Sequence, residues 1–518
     1  MSLEIRIECL PEPKLLFGGN ESGVEPRRGM AKHGAADKSA PRELRIGIVG
    51  PRTEVQIARN WLPRLNTMAI ARERSARRYR DWPGAQRALG VRFVIEDRFV
   101  RPLDDDQLNL ALHHSSASER FNELVDLFDA KIQGLFGDTR PDCIIVCLPD
   151  EIADMRISNP LLSTKERAAL ERLQREEEED QMSLFQPTPE ELKAAEELRT
   201  QAEDLLFRTF YRALKARIMT HQNPVPVQVM RRETFLRPDD EGQSNATRAW
   251  NLATSLFYKS GHEPWRPADL PGNTCFIGVS FHHLKRREGD VVYASVAQAF
   301  SNDIEPFALK GSLVPHDQRR DRQPYLNEAQ AASLMTDVLD KYEARAGILP
   351  TRVVVHKTSL YQPEEEKGFR ATAEARVPTC ELVWMRSTAF RLIRKGMQEP
   401  WRGTLCTIGN ECYLFTSGYV SWWDEYPGPH IPAPLEIGSC GKTDIRERAR
   451  ELLALTKMNW NSSEGLGRYP ITISFARKVG MLMTELSDNQ EPNPSYRFYM
   501  QVIEKGTAMG MRISARMT

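Results

Sequence analysis

The chain has 518 residues, of which 41% are hydrophobic and 27% charged, a composition that supplies a large core and excludes global disorder. Lysine and arginine together number 71, as do aspartate and glutamate, so the net charge carries no nucleic-acid signature and the local distribution of cations must decide. No run approaches the roughly 18 apolar residues of a membrane span, and MSLEIRIECLPEPK lacks the apolar region of a signal peptide. Eight cysteines without a C-x-x-C pair predict buried thiols in a reducing compartment, and we expect a cytoplasmic protein.

The beginning of the chain is rich in turns, and we expect residues 1–40 to form an irregular arm along the surface. Glycine-containing turns interrupt the segment EPKLLFGGNESGVEPRRGMAKHGA. An apolar anchor, Leu15-Leu16-Phe17, precedes a basic turn at Arg27-Arg28.

Two buried strands follow, RIGIVGP from Arg45 and DCIIVCL from Asp142, and a helical pattern comes after the first and before the second. Strand, helix and strand in this order predict a parallel α/β layer. A nucleotide-binding enzyme built on Gly47 and Gly50 is an alternative, and it would bind NAD or ATP without an oligonucleotide. The third glycine and the acidic residue of the dinucleotide fingerprint are missing. Residues 151–205 carry a strongly acidic insertion that we expect to be solvated.

Four polar residues in the next stretch have the chemistry of a phosphate site. Tyr211 and Lys215 are four residues apart in a helical pattern and share one face. Gln228 stands among alternating valines in PVPVQVM and, on a strand, points to the opposite face. Lys259 ends a second helical pattern, and together the lysines neutralise charge while the phenol and the amide direct a terminal phosphate. A packed tyrosine beside solvated lysines is the other interpretation of this spacing.

After Trp265 the pattern changes to a second α/β unit with long strands. Its expected elements are strands at Thr274–Phe281 and Asp290–Val296, a helix at Leu326–Ala346, strands at Arg352–His356 and Cys380–Met385, a hairpin at Gly403–Thr416, and helices at Lys442–Met458 and Pro470–Leu486. The first two strands form a hairpin, and the rest alternate between strand and helix.

The order Y-x3-K, then Q, then YKxGxxPW resembles the guide-end pocket in the MID domain of prokaryotic Argonautes. Glu12-Pro13, Phe17-Gly18 and Pro26 to Gly29 resemble the segment with which Argonautes of this group begin. The runs VVVHKTS, LLALTKMNWNS and PITISFARKVG resemble the PIWI domain of the same family. Because residues 1–200 contain no PAZ-like pattern, the resemblance is to a short Argonaute.

The resemblance implies an α/β protein with a Rossmann-like MID domain followed by an RNase H-like PIWI domain. The implied boundaries are an arm at 1–40, a MID domain at 41–265 with its insertion at 151–205, and a PIWI domain at 266–518 with a tail at 501–518. Catalytic PIWI domains hold two divalent ions with a cluster of carboxylates. At the positions that resemble theirs stand Ser280, Thr358 and Asn461, so we expect no nuclease activity from this chain. A nuclease that uses displaced carboxylates is the alternative.

The resemblance further implies a 5′-phosphorylated guide, RNA in our interpretation, and a complementary single-stranded DNA target. Short Argonautes of this kind are paired with an APAZ effector, a TIR or sirtuin-type NADase or a nuclease, in defence against plasmids or phage. Mg²⁺ joins the guide phosphate to the C-terminal carboxylate in related proteins, and we expect it here only if the extended tail permits. Four cations are candidates for contacts with the guide or target backbone, which need charge rather than sequence-specific geometry; solvated surface charge is the alternative for each. They are Arg391, Arg394, Lys457 and Arg477, the last adjoining Lys478.

Overall fold

The computed structural model describes residues 4–73, 75, 77–158, 207–239, 242–285, 291–301, 305–315, 318–320, 323–396, 398–428, 431–441, 444–486, 490, 493 and 495–499. The acidic insertion from residue 159 onward and the tail at 501–518 lie outside these residues. Among the described helices, none combines the length and the apolar character needed to cross a membrane.

The first half of the chain consists of short strands and helices, and some of the strands form one small sheet flanked by helices. Its strands are β1 (Ile5–Cys9), β2 (Leu15–Leu16), β3 (Ser22–Gly23), β4 (Glu43–Gly50), β5 (Arg92–Val94), β6 (Val100–Pro102), β7 (Cys143–Leu148), β8 (Arg156–Ser158), β9 (Phe207–Thr209), β10 (Val227–Arg231) and β11 (Arg266–Pro267). Its helices are α1 (Pro26–His33), α2 (Arg52–Trp61), α3 (Ala85–Leu89), α4 (Asp105–Leu112), α5 (Ala117–Gln133), α6 (Asp150–Ala153), α7 (Phe210–Met219), α8 (Arg232–Leu236) and α9 (Asn245–Lys259).

Five of these strands form a sheet in the order β10-β7-β4-β5, with β6 also beside β4. All of its pairings are parallel. Every residue of β7 is buried, as expected for a strand covered by helices on both faces of a parallel sheet. Phe128 of α5 packs on one face and Trp250 of α9 on the other. The predicted parallel α/β layer is therefore confirmed.

The second half of the chain contains a larger mixed sheet and one short separate strand pair. Its strands are β12 (Thr274–Lys285), β13 (Val291–Phe300), β14 (Phe307–Val314), β15 (Arg319–Arg320), β16 (Gln323–Pro324), β17 (Arg352–Lys357), β18 (Thr379–Ser387), β19 (Thr404–Ile408), β20 (Glu411–Leu414) and β21 (Leu435–Cys440). Its helices are α10 (Glu328–Ala346), α11 (Pro363–Glu374), α12 (Ile445–Leu455), α13 (Ile471–Met483) and α14 (Tyr496–Tyr499). The nine-stranded order is β1-β19-β20-β21-β18-β17-β12-β13-β14.

The arm differs from its prediction, because it supplies a strand to the distant sheet. β1 pairs with β19 in antiparallel fashion, with Ile7 opposite Cys406. The arm also contains α1, which begins at Pro26, a residue preorganised for the first helical turn. Residues 1–40 are thus not simply irregular: a strand partner about 400 positions later, invisible to local patterns, pairs with their first strand.

The two sheet units share a buried seam. The Trp265 indole N–H donates to the Lys457 carbonyl at 3.1 Å, and the Trp460 indole N–H donates to the Trp265 carbonyl at 3.1 Å. Tyr258 at the end of α9 stacks on Trp460 with ring centroids 4.5 Å apart. Buried aromatic contacts of this kind hold α9 against the segment between α12 and α13.

Candidate nucleic-acid interface

Helix α7 carries the first two candidate residues on one face. The Thr209 hydroxyl caps the helix by accepting a hydrogen bond from the Arg212 main-chain N–H. One turn separates Tyr211 from Lys215, and the Lys215 ammonium lies 5.2 Å from the centre of the Tyr211 ring. Lys215 is only 1% exposed, so this lysine is not the solvated surface residue of the alternative interpretation.

Strand β10 and helix α9 bring the other two residues alongside. Val227 and Val229 pack toward α5 and α7, and Gln228 points the other way, as the alternation predicts. The Ser255 hydroxyl on α9 donates to Gln228 Oε1 at 3.1 Å. One turn beyond Ser255, Lys259 is 1% exposed. The hydrogen bond therefore links the strand to the helix that carries the second lysine.

The buried lysines form a strongly positive centre with a third that sequence analysis assigned elsewhere. Burial lowers the pKa of Lys215, and the neighbouring charges of Lys259 and then Lys478 of α13 lower it further. Burial lowers the pKa of Lys259 to about 8. Cys143, at the start of β7, lies close enough to raise the pKa of both lysines. An arriving anion would favour the charged forms of Lys215 and Lys259.

Tyr211 supplies a neutral donor beside this centre. Burial raises the pKa of its phenol, so the hydroxyl keeps its proton at neutral pH and remains able to donate a hydrogen bond. The described part of the site suits an anion and does not suit Mg²⁺, because ammonium groups surround it and the Gln228 amide oxygen is already occupied by Ser255. The C-terminal carboxylate, which could change that balance, lies outside the described residues.

Two of the residues at the degenerate catalytic positions follow neighbouring strands of the larger sheet. Strands β12 and β17 are parallel with Val279 opposite Lys357, so Ser280 and Thr358 follow at the same edge. Asn461 lies in the loop after α12, where nearby Ser463 donates to Asn251 of α9 at 2.8 Å. Its place at a common site with Ser280 and Thr358 stays a prediction.

Helix α13 begins where β12 and β17 lie side by side. A side chain at Gly278 would place its Cβ 2.2 Å from the Thr472 carbonyl oxygen, so glycine permits the close contact. His356 Nδ1 lies 2.9 Å from the Thr472 hydroxyl, and burial lowers the pKa of His356 to about 3. This histidine is neutral at physiological pH. Sequence analysis did not identify Thr472 as part of this edge.

Lys457 is not a backbone-contacting cation, which corrects the sequence prediction. Its ammonium group donates to Glu12 Oε1 at 2.8 Å and to the carbonyls of Pro13 and Val24 at 2.9 and 2.6 Å. These contacts use all three of its protons, and the side chain is fully buried. Arg402 also contacts Glu12, at 3.2 Å. Lys457 therefore anchors the arm rather than nucleic acid.

The other three backbone candidates lie at the surface or half-buried, each beside main chain or an aromatic ring. Arg391 donates to two nearby main-chain carbonyls. Arg394 lies over the Trp401 ring at 5.5 Å, and Arg477 of α13 lies over the Tyr469 ring at 4.6 Å. Guanidinium groups stacked on aromatic rings are common in single-strand binding surfaces.

The glycines of the nucleotide-binding alternative have a packing explanation. At Gly50 a Cβ would lie 2.5 Å from the Cys147 carbonyl oxygen, and at Gly47 it would lie 3.0 Å from the Pro141 side chain. Both glycines therefore permit close approach of neighbouring chain segments within the sheet. Their presence requires no phosphate.

The solved structures that are similar to this chain include Argonaute and Piwi proteins. An Argonaute of Clostridium butyricum, bound to a guide DNA and a 19-mer target DNA, matches 96% of this chain and 55% of its own, with 14% identity and a TM-score of 0.58. Aquifex aeolicus Argonaute matches 94% of this chain and 55% of its own, with 13% identity and a TM-score of 0.53. Drosophila Piwi matches 95% and 56%, with 14% identity and a TM-score of 0.55.

The fold is that of an Argonaute. The five-stranded and nine-stranded units together have the MID–PIWI architecture of the Argonaute fold, which confirms the predicted fold class. This chain spans about half the length of the Argonaute and Piwi chains that it matches. No protein-family model matches the sequence, and no curated protein sequence does.

Proposed function

We propose that this chain is the guide-binding subunit of a prokaryotic defence system. It holds the 5′-phosphate of a guide RNA and recognises complementary single-stranded DNA of plasmid or phage origin. It then activates an associated APAZ effector, an NADase of TIR or sirtuin type or a nuclease, without cutting the target itself.

The observation that carries this proposal is the gathering of buried and half-buried donors from two units of the fold. Tyr211 and Lys215 come from α7, Lys259 from α9, and Lys478 from α13 of the larger sheet unit. The ammonium groups of Lys259 and Lys478 lie close enough to depress the pKa of Lys215. A terminal phosphate, which carries nearly two negative charges at neutral pH, is the ligand that best offsets such a centre.

Two further observations support binding without cleavage. Ser280 and Thr358 share one edge of the larger sheet and bring no negative charge to it, whereas a two-metal nuclease needs several carboxylates. Lys357, beside Thr358, is already paired with Glu365 at 2.6 Å. A carboxylate neutralised in this way is poorly suited to hold a second cation.

The nucleic-acid partners and the effector in this proposal are supported by different observations. The Clostridium butyricum Argonaute of the same fold was solved with guide and target strands, both DNA. The choice of RNA as guide, the defence role and the APAZ effector rest on the resemblance of the sequence motifs to short Argonautes. Binding of a guide is thus the part of the proposal that the geometry of the site supports most directly, and the effector is the part that it supports least.

The deciding experiment compares 5′-phosphorylated with 5′-hydroxyl RNA on the chain purified with its partner. The double variant Lys215→Ala/Lys259→Ala should lose the preference for the phosphate. Each charge-assisted contact contributes roughly 1.5–3 kcal/mol, so we expect a loss of about tenfold or more per lysine. Lys367→Ala is the matched control, because this lysine lies on the surface of α11 in an exposed pair with Glu328. An unchanged phosphate preference in the double variant would place the guide end elsewhere.

A further inference from the structure

A surface-exposed pair of aromatic rings lies away from the phosphate site. Trp401 and Tyr419 are stacked with their ring centroids 6.4 Å apart and their planes 25° from parallel. Trp401 is 44% exposed, unusually high for so large an apolar side chain. Both rings line an open cleft of about 390 Å³, a size suited to a small planar group.

The main chain holds this pair in place. The Tyr419 N–H donates to the Pro400 carbonyl at 2.9 Å, and the Arg402 N–H donates to the Tyr419 carbonyl at 3.1 Å. A Cβ at Gly418 would lie 2.4 Å from the Pro400 oxygen, so glycine allows the two segments to approach. Because the rings are positioned before any ligand arrives, binding here loses little conformational entropy.

The residue after Trp401 anchors this segment of the chain in the protein interior. Arg402 is buried and donates to the Thr456 hydroxyl at 2.7 Å and to Glu12 at 3.2 Å. Arg402 and Gly403 form a turn that the Thr404 N–H closes by donating to the Trp401 carbonyl at 3.1 Å, and the buried Arg402 side chain anchors this turn next to the exposed Trp401. The exposure of Trp401 is thus built into the fold rather than a consequence of loose packing.

The charges around the rings restrict the class of ligand. Arg394 lies over both rings, 5.5 Å from the centre of Trp401 and 5.2 Å from that of Tyr419. Its guanidinium already holds the place that a cationic ligand would take. Glu399, Asp424 and Glu425 line the same cleft. Asp424 pairs with Arg77 and Glu425 with Arg78, so with Arg394 there is one cation for each carboxylate and the cleft offers a phosphate group no net positive charge. A neutral planar ring with N–H donors on its edge satisfies both restrictions, and a nucleobase is such a ring.

A series of arginines and tyrosines extends from the phosphate site toward this cleft. Arg477, the residue before Lys478, lies 4.6 Å from the centre of the Tyr469 ring, and Arg468 lies 5.4 Å from the same ring. Arg468 and Arg391 both lie close enough to Tyr426 to oppose the rise that burial causes in its pKa. Tyr426 is itself part of the cleft. Alternating cations and rings are the usual track of a single strand.

We propose that the platform of Trp401 and Tyr419, bridged by Arg394, stacks an unpaired nucleobase of the bound strand. The inference rests on the proposed function, since it needs a strand anchored at its 5′-phosphate. It assigns Arg394 a role different from the backbone contact that the sequence suggested. The guanidinium extends the stacking surface, and the nearby carboxylates accept hydrogen bonds from the amino groups of the base.

The test combines Trp401→Ala with a series of 5′-phosphorylated RNAs, each carrying one abasic nucleotide. Base stacking on an aromatic side chain contributes about 5- to 150-fold in affinity. We expect Trp401→Ala to weaken intact RNA within that range and one abasic position to cause a similar loss in the wild-type protein. The two losses should not add when they are combined, because they remove the same contact. Trp401→Phe, which keeps a ring, should retain most of the affinity.

The control is Ile348→Ala, which removes another exposed apolar side chain and should leave the affinity unchanged. Losses that add at every abasic position, or a Trp401→Ala protein that binds as tightly as the wild type, would overturn the base-stacking role while leaving the guide proposal intact. A wild-type protein that binds no 5′-phosphorylated RNA would overturn the proposed function, and the stacking role with it.

Discussion

Lys357 and Glu365 form an ion pair that is fully enclosed by protein. The Lys357 ammonium lies 2.6 Å from one carboxylate oxygen and 2.7 Å from the other, and the two side chains are 2% and 0% exposed. Glu365 also accepts the main-chain N–H groups of Leu326 and Gln362. The carboxylate thus joins β17, α11 and the segment before α10.

We expect no cleavage of a fully paired target in Mg²⁺ or Mn²⁺. Ser280 and Thr358 supply no negative charge, and the carboxylate of Glu365 is neutralised by Lys357, so too little charge remains to hold two ions. The measurement is a gel assay with guide-loaded complex and end-labelled DNA. Guide-directed cuts at one fixed phosphodiester that survive stringent purification would favour the alternative of displaced catalytic carboxylates.

Glu365→Gln should destabilise the protein strongly. Removing one member of a buried ion pair typically costs about 3–5 kcal/mol because the remaining charge is left unpaired. Burial lowers the pKa of Lys357 even with Glu365 present, and the variant would lower it further. The measurement is the urea midpoint of unfolding, with Glu328→Gln as control. Glu328 pairs with Lys367 at the surface, so its loss should cost at most about 1 kcal/mol. Equal shifts of the urea midpoint in the two variants would show that the buried pair stabilises the protein no more than the surface pair does.

Much of the fold could be predicted from the sequence because apolar patterns report burial directly. The run at Asp142 predicts the strand β7, and the alternation around Gln228 predicts the face on which its side chain lies. Charge patterns are less informative, since a cation on the surface and one in a buried pair look alike in sequence. Lys457 was assigned to nucleic acid for that reason, although Glu12 lies 445 residues away and holds it.

Long-range contacts account for the other differences. The strand β1 was expected to be irregular because its partner β19 is distant in sequence. Lys478 was named as a backbone contact, and only the docking of α13 places it beside Lys215. Local periodicity contains no information about such placements.

Preference for a 5′-phosphate should decline as the pH rises above about 8. Burial lowers the pKa of Lys259 to about 8, and a bound phosphate favours its charged form. The complex therefore holds more protons than the free protein, and affinity falls by up to about tenfold per pH unit above that pKa. The measurement compares affinities of 5′-phosphorylated and 5′-hydroxyl RNA between pH 7 and pH 9, flanking that pKa. Lys259→Arg, which stays charged, should reduce the decline.

The protein without RNA should respond to pH in the opposite sense. An unfolded lysine has a pKa of about 10.4, so between pH 8 and that value the unfolded state binds more protons at Lys259 than the folded state. The free energy of unfolding should then rise with pH across this interval. A phosphate preference and a stability that are both flat with pH would show that Lys259 stays charged in the free protein.

The effector should be silent with guide alone and active with guide plus complementary single-stranded DNA. A ligand shifts an equilibrium only through different contact energies in two states, and a guide–target duplex occupies space that a guide alone leaves open. Lys215→Ala/Lys259→Ala should abolish activation while the complex with the partner still assembles. The measurement is NAD loss or DNA degradation with matched and mismatched targets. Effector turnover that does not depend on the target would show that this chain acts only as a scaffold.

The pairing of the arm with the larger sheet has a consequence for synthesis on the ribosome. Glu12 is translated before Arg402, which contacts it and comes 390 residues later. At roughly 5–20 residues per second, this interval is on the order of 20–80 s. During that time a strand with exposed Ile5 and Ile7 has no place in its sheet. The nascent chain must therefore keep β1 unpaired until β19 has been translated.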